Sequence, residues 1–139
     1  MKNSELKKFL IIIGSMKCGT TSLFNQLAEH PEVLPCKEKE PDFFSDQKLY
    51  NKGFEFYQSL WNQKVLDNAV ALEASTNYTK APRVANIPHR IHTIQSDYNA
   101  NFKFIYVIRN PIDRIISHCT HDLQAQWSVK FNSPIVHGI

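Results

Sequence analysis

Apolar residues in this chain gather into three short runs, and the stretches between them carry helical spacing. Phe9-Leu10-Ile11-Ile12-Ile13 is too short for a helix and rich in β-branched residues, so it reads as a strand buried on both faces. Val70 to Ser75 reads as a second buried strand, and Phe102 to Ile108 as the third and strongest. Leu23, Phe24 and Leu27 form a stripe that predicts a helix opening after Gly19 and ending near Glu29-His30-Pro31. Phe54, Tyr57 and Trp61, at i, i+3 and i+7, share one face of a short aromatic helix whose role is core packing. Val84, Ile87, Ile91 and Ile94 predict a helix over Pro82 to Ser96, with Pro88 either kinking it or marking its start. Pro111 suits the first turn of a last helix that carries Ile112, Ile115, Ile116 and Cys119 inward.

Strands alternating with helices imply an α/β fold, a parallel sheet with right-handed crossovers and helices on both faces. A core over residues 1–127 and an irregular tail over 128–139 follow, because periodicity fades beyond Trp127. Ligands in such folds lie beyond the carboxyl ends of the strands. That rule gathers Lys17 to Ser22, Ser75 to Tyr78, and Arg109 onto one rim. Glu40 lies in a loop that can reach it.

The first of these junctions is the richest in chemistry. Gly14-Ser15-Met16-Lys17-Cys18-Gly19 joins strand to helix, and Thr20, Thr21 and Ser22 open the helix. Loop amides, the positive end of the helix dipole, the Lys17 charge and the hydroxyls make such a junction an anion site, a P-loop-like nucleotide cradle. Gly14 and Gly19 keep the glycine spacing of G-x-x-x-x-G-K-[ST], but Thr20 follows Gly19 and the lysine sits inside the loop. A nucleotide kinase or triphosphatase therefore loses its main support, while a shorter phosphate ester remains suited to the cradle. Farther on, the two prolines and the charges of Lys37 to Glu40 mark a loop. Phe43-Phe44 anchors it and holds Glu40 near the core. Ser117 and His121, four apart, share a face of the last helix.

Composition narrows the class. With 139 residues, 42% hydrophobic and 21% charged, the chain suits one soluble core. A net charge of +3 fits anionic ligands, but the scattered basic residues form no stripe for nucleic acid. Cys18, Cys36 and Cys119 lie far apart, without metal-ligand spacing, which predicts reduced thiols, no metal and a cytoplasmic setting. Only five apolar residues precede Gly14, too few for a signal core or a membrane span.

Taken together, Gly14 to Ser22, Glu40-Pro41-Asp42-Phe43-Phe44 and Ile105 to Ser117 resemble the sulfotransferases, and more narrowly the heparan sulfate sulfotransferase-like group. The likeness runs from about Phe9 to His121. It implies a partial sulfotransferase fold that moves a sulfuryl group from 3′-phosphoadenosine 5′-phosphosulfate (PAPS) to a hydroxyl or amine acceptor, a glycan among the candidates. By that resemblance Lys17 neutralises the leaving phosphate, and Cys18, Gly19, Thr20, Thr21 and Ser22 hold the 5′-phosphosulfate. Arg109 and Ser117 clamp the 3′-phosphate, Glu40 is the general base, and His121 stands where some members carry a histidine linked to catalysis. Members are generally much longer, so the resemblance also implies a C-terminally truncated chain, with an inactive nucleotide-binding fragment as the competing reading.

Overall fold

The structure, a computed structural model, describes residues 6–61, 68–80, 82 and 85–131, with side chains described as far as Leu123. It divides into two compact units, Met1–Ile108 and Arg109–Ile139. The first contains a parallel sheet of β1 (Lys8–Gly14), β2 (Val33–Pro35), β3 (Val70–Glu73) and β4 (Asn101–Tyr106). Their order is β2-β3-β1-β4, and Lys8 stands in register with both Val70 and Asn101. The three predicted strands are all present. The extra one, β2, is three residues long and ends in Pro35, which weakens any strand pattern; at an edge the missing proline amide disrupts no ladder.

Helices cover both faces because β1 alternates between them. Phe9 and Ile11 enter one cluster with Phe43, Phe44, Tyr57, Ile91 and Phe102, and Ile12 enters another with Phe24 and Leu72. The second cluster lies beneath α1 (Thr20–Ala28), whose Leu23 and Leu27 pack against it. The first is the larger, fed by α3 (Phe54–Ser59) and α4 (Ile87–Tyr98), while the single turn α2 (Gln47–Tyr50) is capped by Asp46. Pro88 sits in the first turn of α4, so it starts the helix rather than kinking it. Val84, predicted for this stripe, lies outside the described residues.

Aromatic rings fill the larger cluster. Phe9 stacks on Phe102 at 4.9 Å between centroids, and Phe43 stacks on Tyr57 at 4.6 Å. Phe54, Tyr57 and Trp61 are all buried, as their spacing predicts. The third strand departs from expectation. Phe102 of β4 is buried, but Phe104 and Tyr106 are 45% and 53% exposed, because among the described residues β4 pairs only with β1.

The described residues of the second unit form one long helix, α5 (Pro111–Phe131). Pro111 opens it, and the Asn110 side chain accepts the Ile112 amide at 2.9 Å, satisfying a donor the first turn leaves open. The helix runs through 128–131, where an irregular tail was expected; residues 132–139 lie outside the described ones. Ile112, Ile115, Ile116 and Cys119, expected to face inward, are exposed.

Phe43→Ala removes a fully buried ring from the aromatic cluster and is expected to cost about 3–5 kcal/mol. Urea denaturation monitored by circular dichroism checks this.

Candidate functional site

The loop after β1 is closed from two sides. Thr79 Oγ1 donates to the Ile13 carbonyl at 2.9 Å, and the Ser15 amide donates to the Val107 carbonyl at 2.9 Å. Gly14 lies between these ties with φ +151, where a Cβ would stand 2.9 Å from Thr79 Oγ1 and 3.1 Å from the Tyr106 ring. No other residue fits without displacing its neighbours. Lys17 and Gly19 then take left-handed conformations, φ +66 and +88, and deliver the chain into α1.

At that entry no side chain caps the first-turn amides of α1, and a Cβ on Gly19 would meet nothing within 4 Å. The amides of Thr20, Thr21 and Ser22 belong to the first turn of α1, whose N–H groups have no partner within the helix. Cys18 and Thr20 are buried, Gly19, Thr21 and Ser22 exposed, and Lys17 half-buried. The six candidate cradle residues thus form one junction at the carboxyl end of β1.

Glu40 reaches the same end of the sheet through the segment that follows β3. The Ala74 amide donates to the Lys39 carbonyl at 2.8 Å, and Thr76 Oγ1 donates to Glu40 Oε2 at 3.1 Å. Lys39 Nζ pairs with Glu40 Oε1 at 2.6 Å. Thr76 and Thr79 belong to one 3₁₀ turn (Thr76–Thr79). Its first residue holds Glu40 and its last holds Ile13, next to the cradle.

Behind that turn lies a group that sequence reasoning passed over. Glu73 is wholly buried, and its carboxylate accepts from Tyr57 Oη at 2.6 Å, Ser75 Oγ at 2.5 Å and Tyr78 Oη at 3.1 Å. Burial pushes its carboxyl up to about 7; the hydroxyls of Ser75, Tyr57 and Tyr78 pull the other way, and the Asp42 charge adds to the rise. A carboxylate inside an otherwise apolar strand was the signal available in the sequence. Thr76 lies in the Ser75 to Tyr78 segment that the sequence placed on this rim, whereas Thr79 and Lys39 were missed, since nothing local distinguishes them from ordinary polar loop residues.

The second unit carries the remaining candidates. Arg109 is exposed, Ser117 is half-buried on α5, and His121 is 59% exposed with Nδ1 3.5 Å from Asp122 Oδ1. His118 approaches the other oxygen of Asp122 at 3.4 Å, so two histidines share one carboxylate.

A family model of the sulfotransferase domain matches residues 7–135. The chain belongs to the sulfotransferase family. Among its relatives, the membrane-associated sulfotransferase kil1 of Dictyostelium discoideum is 33% identical over 129 residues, covering 89% of this chain and 24% of that protein. Heparan sulfate glucosamine 3-O-sulfotransferase 6 of Homo sapiens is 35% identical over 107 residues, covering 77% and 28%. The crystal structure of a sulfotransferase from Alicyclobacillus acidocaldarius superposes with a TM-score of 0.62 at 27% identity, covering 84% of this chain and 50% of that one. This sulfotransferase chain thus spans about a quarter of the length of its curated relatives and half of the solved one.

Two stability outcomes follow from the site. Gly14→Ala is expected to destabilise by about 1–3 kcal/mol, as its Cβ drives into Thr79 Oγ1, and denaturant unfolding measures it. For Glu73, the folded carboxyl keeps its proton to about pH 7 whereas the unfolded one releases it near 4.5. Between those values the folded state binds more protons, so this group's contribution to stability falls as pH rises. The difference in unfolding free energy, wild type minus Glu73→Gln, is expected to drop by about 3 kcal/mol from pH 4 to pH 8. Paired urea titrations across that range read it directly.

Proposed function

We propose that this chain forms the donor-binding and base-bearing part of a PAPS-dependent sulfotransferase acting on a hydroxyl or amine, with a glycan hydroxyl the favoured acceptor. The observation that carries this is the 3₁₀ turn tying Glu40 at Thr76 and the phosphate loop at Thr79. It supports a carboxylate and an anion cradle working on one reaction. The printed names of the relatives, heparan sulfate 3-O-sulfotransferases among them, support the glycan.

The open first-turn amides of α1 and the space over Gly19 fit the 5′-phosphosulfate of the donor. Lys17 offsets charge that develops on the bridging oxygen as its bond to sulfur breaks. Glu40 accepts the proton from the acceptor O–H or N–H as the new bond to sulfur forms. The products are the sulfated acceptor and 3′,5′-bisphosphoadenosine. By the resemblance Arg109 and Ser117 take the 3′-phosphate, Arg in the fork geometry that suits phosphate oxygens; His121 is assigned a secondary catalytic role on the same ground. No metal enters this scheme. A cytoplasmic setting belongs to the same proposal, supported by the free thiols of Cys18, Cys36 and Cys119.

Radiolabelled PAPS with heparan sulfate, phenol and alcohol acceptors tests the proposal. Lys17→Ala is expected to lower transfer by about two to three orders of magnitude. Glu40→Gln is expected to lower kcat by about 10²–10⁴-fold while leaving 3′,5′-bisphosphoadenosine affinity within about threefold. Absence of sulfated product from the wild-type chain, or equal transfer by Lys17→Ala, defeats it. Saturation with the bisphosphate at a hundredfold excess over its Kd is expected to add about 2.7 kcal/mol of stability.

A further inference from the structure

Two backbone amides of the Glu40 loop end on hydroxyls that themselves end on Glu73. The Asp42 amide donates to Ser75 Oγ at 3.1 Å, and Ser75 Oγ donates to Glu73 Oε2. The Phe44 amide donates to Tyr78 Oη at 3.3 Å, and Tyr78 Oη donates to Glu73 Oε1. Each relay runs amide, hydroxyl, carboxylate, and its members polarise one another in the same sense. Asp42 is further held by Asn77 Nδ2 at 2.8 Å, in a left-handed conformation of φ +54. Phe43, between the two tethered amides, is wholly buried.

From this arrangement we infer that Glu73 is a positioning residue for sulfuryl transfer: through Ser75 and Tyr78 it fixes the 42–44 backbone and so aims the Glu40 carboxylate. The inference rests on the proposed role of Glu40 as base. Only an ionised Glu73 accepts all three hydroxyl protons at once. A protonated or amide side chain brings donors of its own, and at least one of Tyr57, Ser75 and Tyr78 then loses its acceptor. Where that hydroxyl is Ser75 or Tyr78, its reorientation loosens the Asp42 or Phe44 amide that ends on it, next to the base. The loop is therefore coupled to the charge on Glu73. The titratable groups facing that carboxylate are Tyr57 from α3, Tyr78 from the 3₁₀ turn, Asp42 from the loop and Cys36 from the segment after β2.

Glu73→Gln, Ser75→Ala and Tyr78→Phe are compared with wild type by amide hydrogen exchange, 3′,5′-bisphosphoadenosine titration, and transfer from PAPS to heparan sulfate across pH 5.5–8.5, a range of about 1.5 units either side of Glu73's raised value. Tyr78→Phe and Ser75→Ala each cut one relay and leave the carboxylate in place, so they stand in if Glu73→Gln does not fold. The expected result has four parts. Exchange at Asp42 and Phe44 quickens by about tenfold or more while β1 amides stay protected. The bisphosphate Kd stays within about twofold. In Glu73→Gln, kcat falls by about 10- to 100-fold with donor KM little changed. The acid limb of kcat near pH 7 disappears from that variant. Unchanged exchange at Asp42 and Phe44, or an unchanged kcat and acid limb, overturns the inference. Wild-type protein that sulfates no acceptor sinks the base role of Glu40 and the catalytic part of the inference with it, and the exchange result alone then decides whether Glu73 tethers the loop.

Discussion

A carboxylate with no exposed surface has to be supplied with hydrogen bonds from within the fold, and Glu73 draws three. Satisfying it recruits Tyr57 from the aromatic helix, Ser75 from the end of β3 and Tyr78 from the 3₁₀ turn. Two of those hydroxyls reach onward to the loop that bears Glu40. The polar demand of one buried group thus organises three segments that hydrophobic packing alone would leave free to slide. Apolar contacts hold Phe43 and Phe44 in place, but they are non-directional. The hydrogen bonds set the orientation.

The phosphate loop is built on a different economy. It enters α1 through Gly19, which offers no side-chain cap and over which a Cβ would meet nothing within 4 Å, the arrangement the proposed donor role calls for. The Glu73 network is satisfied from within the fold. The 3₁₀ turn connects them through two threonines three residues apart, Thr76 to Glu40 and Thr79 to Ile13. A threonine at either position looks unremarkable in the sequence.

Much of this was legible before the fold was known. The β-branched run of Phe9 to Ile13, the stripe of Leu23 and Leu27, and the i, i+3, i+7 aromatics carry strong periods, and each element formed where its period lay. The glycine-bounded junction of β1 and α1 was legible because glycine spacing and a helix start are local. Strand β2 was hidden by its length and by Pro35, and α2 by being a single turn. The run from Phe102 gave β4, although the exposure of Phe104 and Tyr106 was not written in it. The ties that Thr76 and Thr79 make were not legible, since their partners lie 36 and 66 residues away, and Glu73 showed only as a carboxylate in an apolar strand. Periodicity sees neighbours within a turn or a pleat. It is blind to hydrogen bonds that span the chain.

The register of the sheet has a consequence in time. Lys8 pairs with Val70 and with Asn101, so β1 finds its neighbours only after β3 and then β4, far along the sequence, have been made. The clasp of Thr79 on Ile13 and the ladder of β1 with β4 are long-range closures, and closures of that kind are slow because loop entropy is lost before contacts are gained. The loop that follows β1 therefore takes its final shape only once those distant partners are in place.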